Sequence, residues 1–582
     1  MKPYFGLKGN WLTFWVSVAC CTDMTLFGYD QGVFGGVNVT DDYLDTLGIR
    51  NNSSLLSTIT AIYDIGCFFG ALSCMWFGEK YGRKKTILVG TSIMTVGAIL
   101  QASAFSPAQM IVARIIAGVG NGMNTGTAPV WQSETSKANL RGMLVVIEMV
   151  LNIAGFSLSN WVTYGFSFVG GPVSWRFPIA FQLIFIFILF GTVPWLPESP
   201  RWLMAKGRIA EAEQILADVD NKEVDDPFIL QQSNEIQYAI RREREDSVSL
   251  SKLLWASITR RKTPATEGNK GQHVLRRIAL GAGTQAMQQF SGINVTSYYL
   301  PYVLQNSVFT NLDPQTANTQ SRLLAACNSV SYLFFGSLGI PIVERGGRRF
   351  LMMVGAAGQS FCYLMITVLL RYNQPQFTYA NQVAEASVAF FFLYYVFFGF
   401  GWQGVPWLYP TEINGLGTRT KGAAIGTATN WLVNFIVVEI TPPAIDNLGW
   451  QFYIIWTVFN AAFVPIVYFL YPETAGRTLE DMDRYYREDG GNFLVWRDAD
   501  AIGRKRPRKY IEYEESEVRR HSSVISTKAA RQAVDAVEKE KLGSQRMENV
   551  LFMVTLKSGT SFPSRSLSVV SSDDPGDNQH YF

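Results

Sequence analysis

The chain has 582 residues, of which 17% are charged, and a formal net charge of +3. Its apolar residues are bunched into long blocks rather than spread with amphipathic periodicity, a membrane-like pattern that sets aside a string of soluble domains. The near balance of charge argues against a nucleic-acid partner, and His273, His521 and His580 all lie outside the blocks, so neither a buried histidine relay nor a zinc site is expected.

Blocks of about 20 residues or more begin at Trp11, each long enough for a transmembrane helix. Twelve spans are expected, at about 11–37, 55–78, 86–105, 107–131, 142–168, 177–196, 278–307, 322–343, 350–371, 384–408, 420–441 and 450–471. Ten residues precede the first, with no small-residue cleavage site, so it reads as a retained span rather than a signal peptide. Within it, the stretch TLFGYDQGVFGG carries Asp30. A charge at the centre of a membrane helix costs about 2.5–3.5 kcal/mol or more, so such a residue is a functional hypothesis that needs a partner. The loop that follows holds sequons at Asn38, Asn51 and Asn52, which are expected to be glycosylated on an external face; a further match at Asn294 falls inside a span and is discounted.

Arg114 is the only arginine well inside a span of the first half, and is the candidate partner of Asp30. Gly118 and Gly122 follow it at i+4 and i+8, a small-residue stripe that admits a close neighbouring helix. An Asp30–Arg114 contact that forms and breaks would let the acid take up and release a proton; a static pair that fixes packing is the alternative. All six cysteines fall inside spans without metal-ligand spacing and read as reduced, apolar filler.

Basic residues gather at Lys80–Lys85, between Arg201 and Arg277, at Arg345–Arg349 and after Arg477, which places these connections and both termini in the cytosol. The polar segment 201–277, with short helices such as Ile209–Ala217, divides a first half (1–200) from a second (278–471), and motifs recur across it. KYGRKK with Gly82 returns as ERGGRR with Gly347, 265 residues on; the Glu134/Arg141 pair returns as Glu412/Arg419, 278 on; PESPR returns as PETAGR, 275 on. Two six-helix halves related by duplication account for all three, and such halves place a binding site between them near the membrane midplane. The tail, 472–582, is charged and then Ser-rich, a composition typical of disorder.

GYDQG, KYGRKK, the arginine with GVGNG, WQSET followed by LRG, PESPRWL, QQFSGIN, ERGGRR, VPWLYPTE and PETAGR stand in the order and spacing of the sugar porter branch of the major facilitator superfamily, which residues 11–480 resemble, in wording most like fungal hexose and polyol transporters. The resemblance implies an all-α integral membrane protein with the major facilitator fold, about twelve transmembrane helices in two six-helix halves. It also implies that Asp30 is the proton site with Arg114 as partner, and that Gln288, Gln289, Asn294, Trp407 and Asn430 line the sugar site. Carboxamides suit a sugar because each hydroxyl both donates and accepts, while an aromatic ring covers its apolar face. On a regular helix Gln288, Gln289 and Asn294 would sit at about 0, 100 and 240 degrees, so a local distortion near Gly292 is expected. Asn434 shares a face with Asn430, and Asn160 stands where many members have glutamine. Bonds from helix to helix are the alternative role for these amides. Gly399 replaces a frequent glutamate and Tyr332 a usual asparagine, and Gln403 is the candidate replacement acceptor; Glu148 and Glu439 are span acids without an assigned role.

Arg83, Glu134, Arg141, Glu198, Arg348, Glu412, Arg419 and Glu473 are expected to form a cytosolic gate. Exposed pairs are individually worth about 0–1 kcal/mol, and such a network biases a carrier only if it differs between two states. The chain lacks a phosphate loop, a paired metal motif and a nucleophile elbow, so no enzyme and no cofactor is expected. The expectation is a plasma-membrane, proton-coupled carrier of a monosaccharide, a hexose first, working by alternating access, with sugar or polyol, protons and the lipid bilayer as partners. A facilitator of the same fold and a nutrient receptor are the rivals. The tail offers kinase and ubiquitin sites, among them Ser522 and Ser523.

Overall fold

The computed structural model describes residues 3–137, 141–245, 274–373, 377–415, 418–477, 479–487, 494–503 and 506–512. In hydrocarbon every backbone N–H and C=O must be satisfied within its own segment, and long apolar blocks therefore become helices. The first six spans are Asn10–Val37, Ser53–Tyr81, Arg83–Ala102, Pro107–Thr135, Arg141–Ser167 and Val173–Thr192. The seventh starts at Val274–Phe290 and continues in broken pieces to Val308; the rest are Pro314–Gly346, Arg348–Tyr372, Ala380–Gly401 with Val405–Ile413, Arg419–Leu448 and Phe452–Leu470. Seven described segments are long and apolar enough to cross a membrane by length and composition alone. The fourth, fifth, seventh and eighth spans are not among these; the fourth and eighth carry buried polar groups such as Arg114, Asn121, Asn124 and Arg322.

Local signals set the ends. The fourth span opens on Ser106, whose hydroxyl accepts from the Gln109 N–H, with Pro107 in its first turn; the eighth opens on Asp313, which accepts from Thr316, with Pro314 following. Gly82 (φ +94°) and Gly347 (φ +81°) each turn the chain in one residue from the second span to the third and from the eighth to the ninth.

The helix pairings repeat between halves. Spans 1 and 5, 2 and 4, 3 and 4, and 3 and 6 pack together, and so do spans 7 and 11, 8 and 10, 9 and 10, and 9 and 12. The halves meet where span 2 packs on span 11 and span 5 on span 8, again a repeated pair. Glycines permit the closest approaches. A Cβ on Gly118 would lie 2.2 Å from the Tyr63 carbonyl oxygen, and one on Gly122 2.2 Å from that of Cys67.

Residues Met1–Arg506 form one compact unit and Pro507–Phe582 a second, of which 507–512 are described. Between the halves lie short helices at Pro200–Ala205, Ile209–Asp220 and Pro227–Glu245, the second extending the expected 209–217 helix by three residues. The N-terminal segment is tied to them: the Gly9 N–H donates to the Asp218 carbonyl at 2.7 Å, and the Asp218 carboxylate pairs with Lys8 at 3.1 Å. Within the early tail Leu479–Arg487 is helical, Tyr485 and Tyr486 are buried, and Asp483 pairs with Arg277 at 2.6 Å, while the Arg277 guanidinium also donates to the Ile413 carbonyl. A buried arginine at the foot of the seventh span needs an acid, and the early tail supplies it. Ser522, Ser523 and the rest of 513–582 lie outside the described residues.

Candidate functional site

Asp30 and Arg114 face each other at the centre of the first half. Both side chains are fully buried, and Arg114 Nη1 is 3.7 Å from Asp30 Oδ2. The guanidinium is held mostly by other groups. Its Nη2 donates to the Thr60 carbonyl at 2.8 Å and its Nε to Ile59 at 3.4 Å, and its plane lies 3.9 Å from the Phe34 ring centroid and 4.3 Å from that of Tyr63. Neither Asp30 oxygen has a hydrogen-bond partner among the described residues. The pair is a loose electrostatic contact between two fully buried side chains, a geometry that a proton on Asp30 could release.

The seventh span breaks at the place its amides require. The helix stops at Phe290, Gly292 takes φ +88°, and a new turn starts at Ile293. The Tyr363 hydroxyl donates to the Gly292 carbonyl at 2.8 Å, and a Cβ on Gly292 would lie 2.6 Å from that hydroxyl, so only glycine fits. The break swings Asn294 round to donate to both Gln289 and Asn434, while its oxygen accepts from Gln31 at 3.2 Å. A second cluster lies one turn below: Asn430 donates to Gln285 at 2.6 Å and Gln288 at 2.9 Å, and Gln288 donates to the Trp402 carbonyl at 2.8 Å. Gln403, the candidate replacement acceptor, accepts from the hydroxyl of Tyr332, which stands in place of a usual asparagine. Trp407 is half-buried in the first turn of Val405–Ile413. Asn160 is buried and donates to the Phe156 carbonyl of its own helix at 2.8 Å.

The face that carries Gly82 and Gly347 shows the same construction twice. Arg83 pairs with Glu134 at 2.9 Å, the Ser199 hydroxyl donates to Glu134 at 2.6 Å, and Glu198 accepts the Arg83 N–H at 3.0 Å. In the second half Arg348 pairs with Glu412 at 2.8 Å, the Thr474 hydroxyl donates to Glu412 at 2.6 Å, and Glu473 accepts the Arg348 N–H at 2.8 Å. Each of these contacts stays within its own half, locking a one-residue turn to the helix end that follows. Burial raises the Glu198 carboxyl above the ordinary range, against backbone N–H groups from Ser199, Lys84 and Arg83 that pull it down. The side chain of Arg141 lies outside the described residues; Arg419 is half-buried beside the start of the eleventh span.

Reading the sequence span by span missed several groups. Asp64 and Asp23 are buried acids inside the second and first spans, visible by the same criterion that singled out Asp30. Asp23 accepts from Asn124 at 2.9 Å. Glu148, noted but unassigned, is fully buried with neither carboxylate oxygen bonded among the described residues. Gln31 and Gln285 complete the amide clusters. Arg322 crosses between halves, donating to Thr40 at 2.9 Å and to the Thr163 carbonyl at 3.5 Å. Of the three sequons, Asn38 does not present its amide to solvent: it is 1% exposed and bonds Thr60 at 3.2 Å, because it ends the first helix against the second. Asn51 and Asn52 are exposed, and Asn52 caps the second span through its side-chain oxygen.

Residues 15–486 match the family model described as sugar (and other) transporter. The chain is 56% identical to the MFS-type transporter oryC of Aspergillus oryzae over 92% of its own length and 96% of that protein's. It is 32% identical to the sugar transporter STL1 of Saccharomyces cerevisiae, covering 94% of this chain and 92% of that one. Among solved structures it is similar in fold to the proton:xylose symporter XylE bound to 6-bromo-6-deoxy-D-glucose, with a TM-score of 0.65 at 24% identity over 82% of this chain and 99% of the other.

Proposed function

Because this chain belongs to the sugar transporter family of the major facilitator superfamily, we propose that it is a proton-coupled carrier of a monosaccharide, with a hexose as leading substrate, working by alternating access. It is a multi-pass membrane transporter and not an enzyme. The single observation that carries coupling is the buried, loosely paired Asp30–Arg114 contact, since an ionisable group at membrane depth that makes no hydrogen bond among the described residues is poised to change its protonation. The observation that carries the substrate class is the pair of carboxamide clusters around Asn294 and Asn430, built across the seventh and eleventh spans. In this reading the face with Gly82 and Gly347 is cytosolic with both termini, the Asn51 loop is external, and the membrane is the plasma membrane. The serines and lysines beyond residue 512 offer phosphate and ubiquitin sites on the cytosolic side.

A potential of 100 mV supplies about 2.3 kcal/mol per charge moved, and each pH unit adds about 1.4 kcal/mol, ample for accumulation. Proteoliposomes holding the full chain, given labelled D-glucose under imposed pH and voltage gradients, are expected to accumulate sugar above equilibrium. Asp30→Asn is expected to abolish accumulation while leaving exchange of labelled for unlabelled sugar. Equilibration without accumulation in the wild type would make the protein a facilitator.

A further inference from the structure

A further buried acid lies one helical turn from Thr60, whose carbonyl holds Arg114. Asp64, on the second span, is fully buried, and neither of its carboxylate oxygens has a hydrogen-bond partner among the described residues. The charged and titratable groups around it come from every packed element: Asp30 from the first span, Arg114 from the fourth, Tyr298 and Tyr299 from the broken seventh, and Cys67 on its own helix. The eleventh span, which packs on the second, carries Asn434, and neither Asp64 oxygen is hydrogen-bonded to it.

Charge counting decides what this arrangement does. Two buried carboxylates stand near one guanidinium: Asp30 is within ion-pair distance of it, and Asp64 lies one helical turn after Thr60, whose carbonyl, with that of Ile59, engages the Arg114 Nη2 and Nε. With both acids ionised the group carries one net negative charge in a site closed to water; with one proton aboard it is neutral. Desolvation therefore favours one proton shared between the two acids. Asn434 meanwhile belongs to the other cluster, since its oxygen accepts from Asn294, which also bonds Gln289 and Gln31. Asp64 thus stands between the acid pair and the amides.

We propose that Asp64 is the coupling residue of the transport cycle: Asp30 and Asp64 hold a single proton around Arg114, and Asn434 carries the state of the substrate site to Asp64. The proposal rests on the proton-coupled reading above. A sugar hydroxyl that takes over the Asn294 amide frees Asn434 to turn toward Asp64 and donate to its carboxylate, which stabilises Asp64 ionised and sends the proton to Asp30. The O–H bond on Asp64 breaks and one on Asp30 forms, so the charge of the group is unchanged until the proton leaves.

Full-length protein in proteoliposomes tests this with labelled D-glucose. A one-unit pH gradient supports about tenfold accumulation at one proton per sugar. In Asp64→Asn, Asp30 and Arg114 are left as a neutral pair that needs no proton, and accumulation is expected to fall from about tenfold to unity while exchange at equal sugar concentrations persists. If Asp64→Asn also loses exchange, Asp64→Glu, which keeps the carboxylate, is expected to restore it with a displaced pH profile of uptake. Accumulation and pH profile unchanged in Asp64→Asn overturn the assignment of Asp64 alone, provided the wild type accumulates. An unchanged pH profile in Asp64→Glu, or its failure to restore exchange, overturns it too. If the wild type exchanges sugar but never accumulates it, the coupled reading falls and this proposal falls with it.

Discussion

Asn430 shows how a single side chain can hold a site together. Its amide nitrogen serves both Gln285 and Gln288, so truncation strands two buried acceptors, at a cost of about 1–3 kcal/mol. Where sugar hydroxyls meet these same amides, Asn430→Ala is expected to raise the half-saturating concentration for D-glucose roughly tenfold. Uptake kinetics measure this, and an unchanged value would leave Asn430 a packing residue. Some of this site is legible in sequence. Asp30 and Arg114 stand out because ionisable groups in apolar runs are rare and must be paired. Asp64 satisfies the same criterion but sits among apolar neighbours that match no expected partner, and only folding buries it one turn from Thr60, whose carbonyl holds Arg114. Gln31 and Gln285 are ordinary glutamines until the broken seventh span delivers Asn294 and the eleventh delivers Asn430.

At the level of elements, the second and fourth spans illustrate packing without a hydrophobic drive between helices, where close backbone approach takes its place. Gly66 and Gly70 on one helix meet Gly118 and Gly122 on the other, and their closest approaches are to backbone atoms that cannot rotate away. Gly118→Val must push the helices apart and is expected to cost about 1–3 kcal/mol or more, seen as loss of monodisperse protein in size-exclusion chromatography. Gly191→Ala, whose new methyl meets nothing within 4 Å, is the matched control and is expected to behave as wild type. The glycine stripe on the fourth span is readable from spacing alone, but its partner helix is not. The seventh span is the opposite case: three amides at incompatible angles demand a break, and Gly292 marks where it falls.

Across the whole molecule, the halves are fastened to each other on the face opposite Gly82 and Gly347. Arg322 reaches Thr40 and Thr163, Asn318 donates to the Val39 carbonyl at 2.8 Å, and Thr58 donates to Glu439 at 2.7 Å. Contacts made in only one of two states set their balance, and about 1.4 kcal/mol shifts it tenfold. Arg322→Ala is expected to favour opening on that face. In a cysteine-free background carrying Val39→Cys, an impermeant maleimide added from the side of the Asn51 loop should label several-fold faster; an equal rate would show that the clasp does not bias the halves. The sequence by itself determined the all-helical membrane fold, the duplicated halves, the repeated motifs at Gly82 and Gly347 and the acid to watch, because hydropathy, charge placement and repeated motifs are properties of order along the chain. Tertiary structure decided how loosely Asp30 and Arg114 meet, which amides converge, that Asn38 is closed off and that the early tail seats Arg277. Each of these depends on which helix faces which, and that is set by close packing across the bundle rather than by neighbours in sequence.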